Sequence, residues 1–253
     1  MQSLLLFLSL GVAISLQAFG APEVLELDGV KYHCVKASPA QVKLLWKDEK
    51  GAPLRTFAEA KRYADRQSIE VEVLMNGGIF EPGGIPSGLL VQQGKVKCPL
   101  NLKAGKGNFF LKPNGVFAVG EGKARIVESR RYPAGLGFAP REAVQSGPLL
   151  LIEGKVHPAF RLGSSSRLHR NGVGVDARGQ LVFLMTDFNS PKFPNLYEFA
   201  KAFEHFTCKN ALFLDGDLSD LAVGEQMMQP SNRFGSIIAI MPRLPEQEKA
   251  PAR

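Results

Sequence analysis

Asn76, Asp187 and Asp215 each close a short, largely apolar run (residues 71–75, 181–186 and 211–214), and glycine follows Asn76 and Asp215 directly. A carboxylate in such a place can take a proton or face a developing positive charge. An amide can both donate and accept, as a sugar hydroxyl or a phosphate oxygen requires. Paired glycines such as Gly77 and Gly78 make a tight turn, let the chain come close to a ligand and turn backbone N–H groups toward an anion. Arg167, His169 and Arg170 precede the run 172–176. A guanidinium engages two phosphate oxygens at once, so this segment suits an anion. Gln145-Ser146-Gly147-Pro148 leads into the run 149–152. Ser146 lacks the G-x-S-x-G setting of a nucleophile elbow, so a serine hydrolase is not indicated.

The elements that must hold these residues are short strands and two helices. Thr56 and Glu59 form a capping box ahead of Phe57, Ala60 and Ala64, which predicts a helix over residues 56–67. Asn195 and Glu198 do the same for residues 196–206, where Leu196, Phe199, Ala200 and Phe203 make an apolar stripe. Each helix runs into a strand, one ending at Asn76-Gly77 and the other at Asp215-Gly216, so both side chains are expected to project into a crevice. Turn residues predict hairpins over residues 24–37 around Asp28-Gly29, over 89–98, over 108–119 around Pro113-Asn114-Gly115, over 149–156 around Glu153-Gly154, and over 172–186. A last strand is expected over 236–241. Many strands with two firm helices predict an α+β fold: a single domain with a large mixed or mainly antiparallel sheet flanked by a few helices.

Residues 4–16 are mostly apolar, too few for the roughly 20 that span a bilayer, and Ala18 and Gly20 precede a suitable cleavage point. The expected organisation is a signal peptide over 1–20, one domain over 21–243 and a disordered tail over 244–253. The expected location is therefore the periplasm or the exterior, without stable membrane insertion once the signal is cleaved. The formal charge is +7, yet the densest cationic stretch, residues 125–131, holds only three arginines and no nucleic-acid motif accompanies it. A dispersed positive surface fits an anionic or phosphorylated glycan. Cys34, Cys98 and Cys208 show no CxxC spacing, which disfavours a zinc site; one disulfide plus a free thiol stays open. Cys208 lies near His205 in sequence, but a core thiol is the expected role. The run Asp215-Gly216-Asp217-Leu218-Ser219-Asp220 is not an EF-hand, since its sixth position is Asp220 and its twelfth Gln226. No cofactor is expected, with a divalent cation at Asp215, Asp217 and Asp220 left open.

The order Asn76-Gly77-Gly78-Ile79-Phe80, Gln145-Ser146-Gly147-Pro148, Arg170-Asn171-Gly172-Val173-Gly174, Asp187 and Ala211-Leu212-Phe213-Leu214-Asp215-Gly216 resembles the phosphodiester glycosidase family across roughly residues 70–240. Residues 107–117 resemble an exported bacterial branch of it. The resemblance implies hydrolysis of a sugar-1-phosphodiester at the sugar carbon. It assigns Asp215 as base or charge stabiliser, Asp187 as a second carboxylate and Arg170 as the phosphate ligand. Asn76, Gly77, Gly78, Gln145, Ser146, Gly147 and Ser219 would bind the substrate. Where the family has Asp-Gly-Gly-Gly-Ser, this chain has Asp215-Gly216-Asp217-Leu218-Ser219. A changed glycine loop keeps two other readings in view: a carbohydrate-binding protein without catalysis, and a metal-dependent phosphodiesterase.

Overall fold

The computed structural model describes residues 22–224, 226–227 and 233–243, so the expected signal peptide and tail lie outside the described residues. Three sheets carry the fold. The largest has seven strands, in the order Glu23–Leu27, Val30–Ala37, Leu181–Thr186, Asn171–Val175, Asn210–Asp215, Leu149–Ile152 and Lys155–Val156. It is called the Asp215 sheet below. The Asn76 sheet has five: Gln226–Met227, Leu221–Val223, Val73–Asn76, Ile237–Ile240 and Val42–Leu45. The Gln145 sheet also has five: Lys123–Glu128, Gly115–Gly120, Glu142–Ser146, Leu90–Gln92 and Lys95–Cys98. Every pairing described is antiparallel, and two α-helices flank the sheets, α1 (Phe57–Arg66) and α2 (Leu196–His205). The protein is a single α+β domain, as its sequence predicts.

One core joins all three sheets. Phe183, Met185, Leu212 and Leu214 meet Val73, Met75 and Ile238 from the Asn76 sheet and Phe117 and Val144 from the Gln145 sheet. The alternate residues of the same strands, Val182, Leu184 and Phe213, face Phe199 and Phe203 of α2. Strands buried on both faces cannot alternate apolar with polar, which is why 181–186 reads as a continuous apolar run. On the far side of the Asn76 sheet, Phe57 and Ala60 of α1 pack on Leu45, Leu74 and Ile237. Both helices begin with the predicted capping boxes: Glu59 N–H donates to Thr56 Oγ1 at 3.2 Å and Glu198 N–H to Asn195 Oδ1 at 2.9 Å.

Four of the five expected hairpins form. The one expected over 108–119 does not: Asn108–Phe110 is a 3-10 turn, and Gly115–Gly120 pairs instead with Lys123–Glu128. Pro113 has no N–H for a ladder, and the Asn114 side chain donates to Phe109 O at 2.8 Å, closing a local turn. Glu121 and Gly122, with φ of 51° and 69°, supply the two left-handed residues that a tight hairpin needs. The three cysteines are unpaired and buried. α2 stops at His205, so Cys208 leaves the helix and packs its sulfur against Gly174.

Candidate active site around Asp215

The strand Asn171–Val175 runs between Leu181–Thr186 and Asn210–Asp215, and this brings the ends of three segments together. Asn171 lies opposite Asp215 in the ladder, and a register shift just beyond Asn171 leaves Leu214 without a partner in that strand. Such a bulge re-aims the residues at a strand end. Thr186 N–H donates to Arg170 O at 2.9 Å, which places Asp187 one step beyond the same end.

Asp215 is half-buried, and its Oδ1 accepts the Gly216 N–H at 2.7 Å. Burial raises its pKa to about 6; the Gly216 hydrogen bond opposes the rise, and the charge of Asp217 adds to it. The carboxyl is thus largely ionised at neutral pH, yet close enough to neutrality to exchange a proton. Ser219 O–H lies 3.2 Å from Asp215 O and from Asn171 Oδ1, and Ser219 N–H donates to Gly216 O at 2.8 Å. These contacts close residues 215–220 into a compact turn.

Arg170 is 1% exposed. Its Nε donates to Pro194 O at 3.0 Å and one terminal nitrogen to Ser166 O at 2.9 Å, and the guanidinium lies 5.7 Å from the Phe213 ring centre. Burial lowers its pKa to about 10, while Asp217 and Tyr32 raise it, so it stays cationic at neutral pH. Arg170 also borders a cavity of about 590 Å³ walled by Leu111, Phe160, Ser164, Ser166 and Tyr197. Asp215 is not in that wall; the exposed Asp217, whose charge acts on Arg170, Asp215 and His169, links the two electrostatically. His169 is held between Phe188 and Phe193, with ring centres 4.2 and 4.3 Å away, and burial lowers its pKa. Asp187 turns its carboxylate to His33 Nε2 at 3.4 Å and accepts Asn189 N–H at 2.7 Å.

The other expected site residues are close to these but face inward. Gln145 Oε1 accepts Leu89 and Asn101 N–H at 3.0 and 2.9 Å, and its Nε2 donates to Asn101 O and Ser129 Oγ at 2.7 and 3.0 Å. All four of its hydrogen-bonding positions are therefore used within the protein. Ser146 donates to Leu214 O at 2.8 Å and accepts Ile79 N–H at 3.2 Å. Gly77 donates to Ser236 O at 2.8 Å, and a Cβ there would meet Ser236 Oγ at 2.3 Å. A Cβ on Gly78 would meet Gln145 O at 2.9 Å, and one on Gly147 the Asn114 Cβ at 2.5 Å. These glycines permit close packing of chain on chain. Asn76 is 1% exposed and pairs with Asn171, a residue noted in the sequence only for following Arg170. Its signal is a polar side chain at an inward-facing position of an N-G-V-G-V strand buried on both faces. Among the described residues, no group of three His, Cys, Asp or Glu side chains converges to hold a metal.

The antiparallel sheets hold Asp215 half-buried at a strand end and Arg170 buried beside a separate cavity, and comparison with known proteins gives the class. The phosphodiester glycosidase family model matches residues 70–237. The chain is 34% identical over 193 residues to the uncharacterised protein YigE of Escherichia coli (strain K12), covering 76% of this chain and 73% of that one. The catalytic domain of zebrafish N-acetylglucosamine-1-phosphodiester alpha-N-acetylglucosaminidase, auto-inhibited by its pro-peptide, has a similar fold. Its TM-score is 0.63 at 17% identity, over 88% of this chain and 82% of that one. A hypothetical protein from Synechocystis matches with a TM-score of 0.53 at 15% identity, over 87% of this chain and 61% of that one. The chain belongs to the phosphodiester glycosidase family.

Proposed function

We propose that the chain is an exported hydrolase that cleaves a sugar-1-phosphodiester between the sugar carbon and the phosphate oxygen. The observation that carries this reading is the Asp215 carboxyl, half-buried at a bulged strand end with its pKa raised to about 6. Water adds its oxygen to the anomeric carbon and loses a proton; the C–O bond breaks and its electron pair leaves with the phosphate monoester. Asp215 takes that proton or faces the oxocarbenium-like charge. A phosphate leaves readily, so strong acid assistance is less necessary than in ordinary glycoside hydrolysis. Arg170 holds the phosphate, supported by the first turn of α2, whose Leu196 and Tyr197 share the cavity wall with it. Asp187 is the second carboxylate at the same strand end. Export rests on the apolar, cleavable character of residues 1–20, and it places the enzyme in the periplasm or outside the cell. The substrate is an anionic glycan or glycoconjugate.

A panel of sugar-1-phosphodiesters in ¹⁸O-labelled water tests the reaction. Free sugar carrying the label, together with a phosphate monoester, supports the proposal. Sugar phosphate plus an alcohol overturns it in favour of a phosphodiesterase. A second reading, glycan binding without turnover, draws on Asp217-Leu218, which stands where the family pattern named in the sequence analysis has glycines and leaves two exposed side chains beside Asp215. Binding of the panel without any product would establish it.

A further inference from the structure

We infer that the buried amide pair Asn76–Asn171 is the positioning device that aims the Asp215 carboxylate. The two side chains come from different sheets and are 1% and 0% exposed. Asn171 Nδ2 donates to both Asn76 Oδ1, at 2.8 Å, and Asn76 O, at 3.0 Å. Two acceptors on that side fix which end of the amide is which. Asn171 Oδ1 must then face the other way, where it accepts Asp215 N–H at 2.8 Å and lies 3.2 Å from Ser219 Oγ. Asn76 Oδ1 accepts Asp220 N–H at 3.0 Å as well. The pair therefore grips the backbone at both ends of the 215–220 turn.

The consequence for Asp215 is geometric. Its Oδ1 is turned onto the Gly216 N–H, the first amide inside the turn. In this chain the turn carries Asp217 and Leu218 instead of small residues, with Leu218 41% exposed. The turn is held at its base by Asn171 and Asn76 and across it by the Ser219 N–H, which donates to Gly216 O at 2.8 Å. Asn171 touches neither the reacting atoms nor solvent; it acts through the backbone of Asp215. An aspartate at position 171 would set an oxygen against two oxygens of Asn76 and undo the grip.

The kinetic half of this inference rests on the proposed function, whereas a direct titration does not. The Asp215 carboxyl is followed by ¹³C NMR in the full protein, with Asp215→Asn providing the assignment. Wild type, Asn171→Ala, Asn76→Ala and Ser219→Ala are compared. Because burial is the larger cause of the raised pKa, water admitted by a loosened turn should lower it, by about one unit in Asn171→Ala and less in Ser219→Ala. Where turnover is measurable, kcat should fall about 100-fold in Asn171→Ala with KM within about twofold of wild type. Asn76→Ala removes the other half of the pair and keeps the test decisive if Asn171→Ala does not fold, while Ser219→Ala, which leaves the pair intact, measures what the turn alone contributes. A pKa unmoved or raised in an amide variant that folds overturns the inference. If no phosphodiester is turned over even by wild type, the proposed function fails while the titration still decides the role of the amides.

Discussion

A carboxyl group with a pKa near 6 is ionised in about nine molecules of ten at pH 7 and about half at pH 6, and each further unit well below the pKa costs it about tenfold. If Asp215 acts as base or charge stabiliser, kcat/KM must therefore fall on the acid side with a limb near pH 6, not near the ordinary aspartate value of 3.8. The same burial gives a stability effect of definite sign. Protonation of a group whose folded pKa is raised favours the folded state, so Asp215 favours folding fully below pH 3.8 and less as pH rises through 6. Asp215→Asn should accordingly reduce kcat by at least about 10³-fold while leaving Tm at pH 8 unchanged or higher. Unimpaired turnover, or a matching fall in Tm, would place Asp215 in the framework instead. The sequence singled out Asp215 and Arg170 by their residue types and flanks. It did not show that Gln145 and Ser146 face inward, nor that Asn171 contacts the Asp215 backbone. Those facts depend on pairings across 44 to 68 residues, such as Asn171 with Asp215 and Ser146 with Leu214, which no local pattern encodes.

The elements were legible wherever their signals were local. Both capping boxes and the Asp28-Gly29 and Glu153-Gly154 turns are written in neighbouring residues, and both turns take up left-handed conformations. The misplaced hairpin shows the converse: Pro113-Asn114-Gly115 has turn composition, but the turn it makes ends a 3-10 segment, while Glu121-Gly122 joins the strands. Two glutamates, one buried in a strand and one half-buried in α2, test how the elements are tied together, and their signs are opposite. Glu142 is 2% exposed; burial raises its pKa to about 7, against the pull of Arg141 and the Leu44 N–H. Its contribution is present below pH 4.5 and lost as pH rises through 7, by at most about 3 kcal/mol. Glu142→Gln should therefore be more stable than wild type at pH 8, by about 1–2 kcal/mol, and not at pH 4.5. Glu198 is pushed up by burial but pulled down to about 2 by Arg167, Lys192 and the Asn195 N–H. Its contribution is present above pH 4.5 and lost as pH falls through 2. Glu198→Gln should be about 2 kcal/mol less stable at pH 7, with the deficit shrinking toward pH 2. Chemical denaturation of both variants across pH reads the two slopes, and slopes of the same sign would contradict this assignment.

At the scale of the whole molecule, the fold follows from one core shared by three sheets, with α2 covering the outer face of the largest. Each of the two helix–strand units belongs to a different sheet, so closing the core is what brings Asn76 to Asn171 and hence to Asp215. The succession of strand, turn and helix-cap signals indicated an α+β domain, but the division of strands among three sheets depends on long-range pairing. Charge is the other property of the whole. The formal net charge of +7 contains no dominant cationic cluster, so the field around the protein is broad rather than focused on one patch. A broad positive field attracts a phosphodiester from a distance but does not distinguish its ground state from its transition state. It should therefore raise the rate of encounter and leave the chemical step alone. Ionic strength separates the two. As salt rises from about 0.01 to 0.15 M, the screening length contracts from about 30 to 8 Å, and kcat/KM for an anionic phosphodiester should fall severalfold while kcat stays constant. A neutral aryl glycoside of the same sugar should show no such dependence. If kcat itself falls in parallel, salt acts on the Arg170 contact rather than on approach, and the steering account fails.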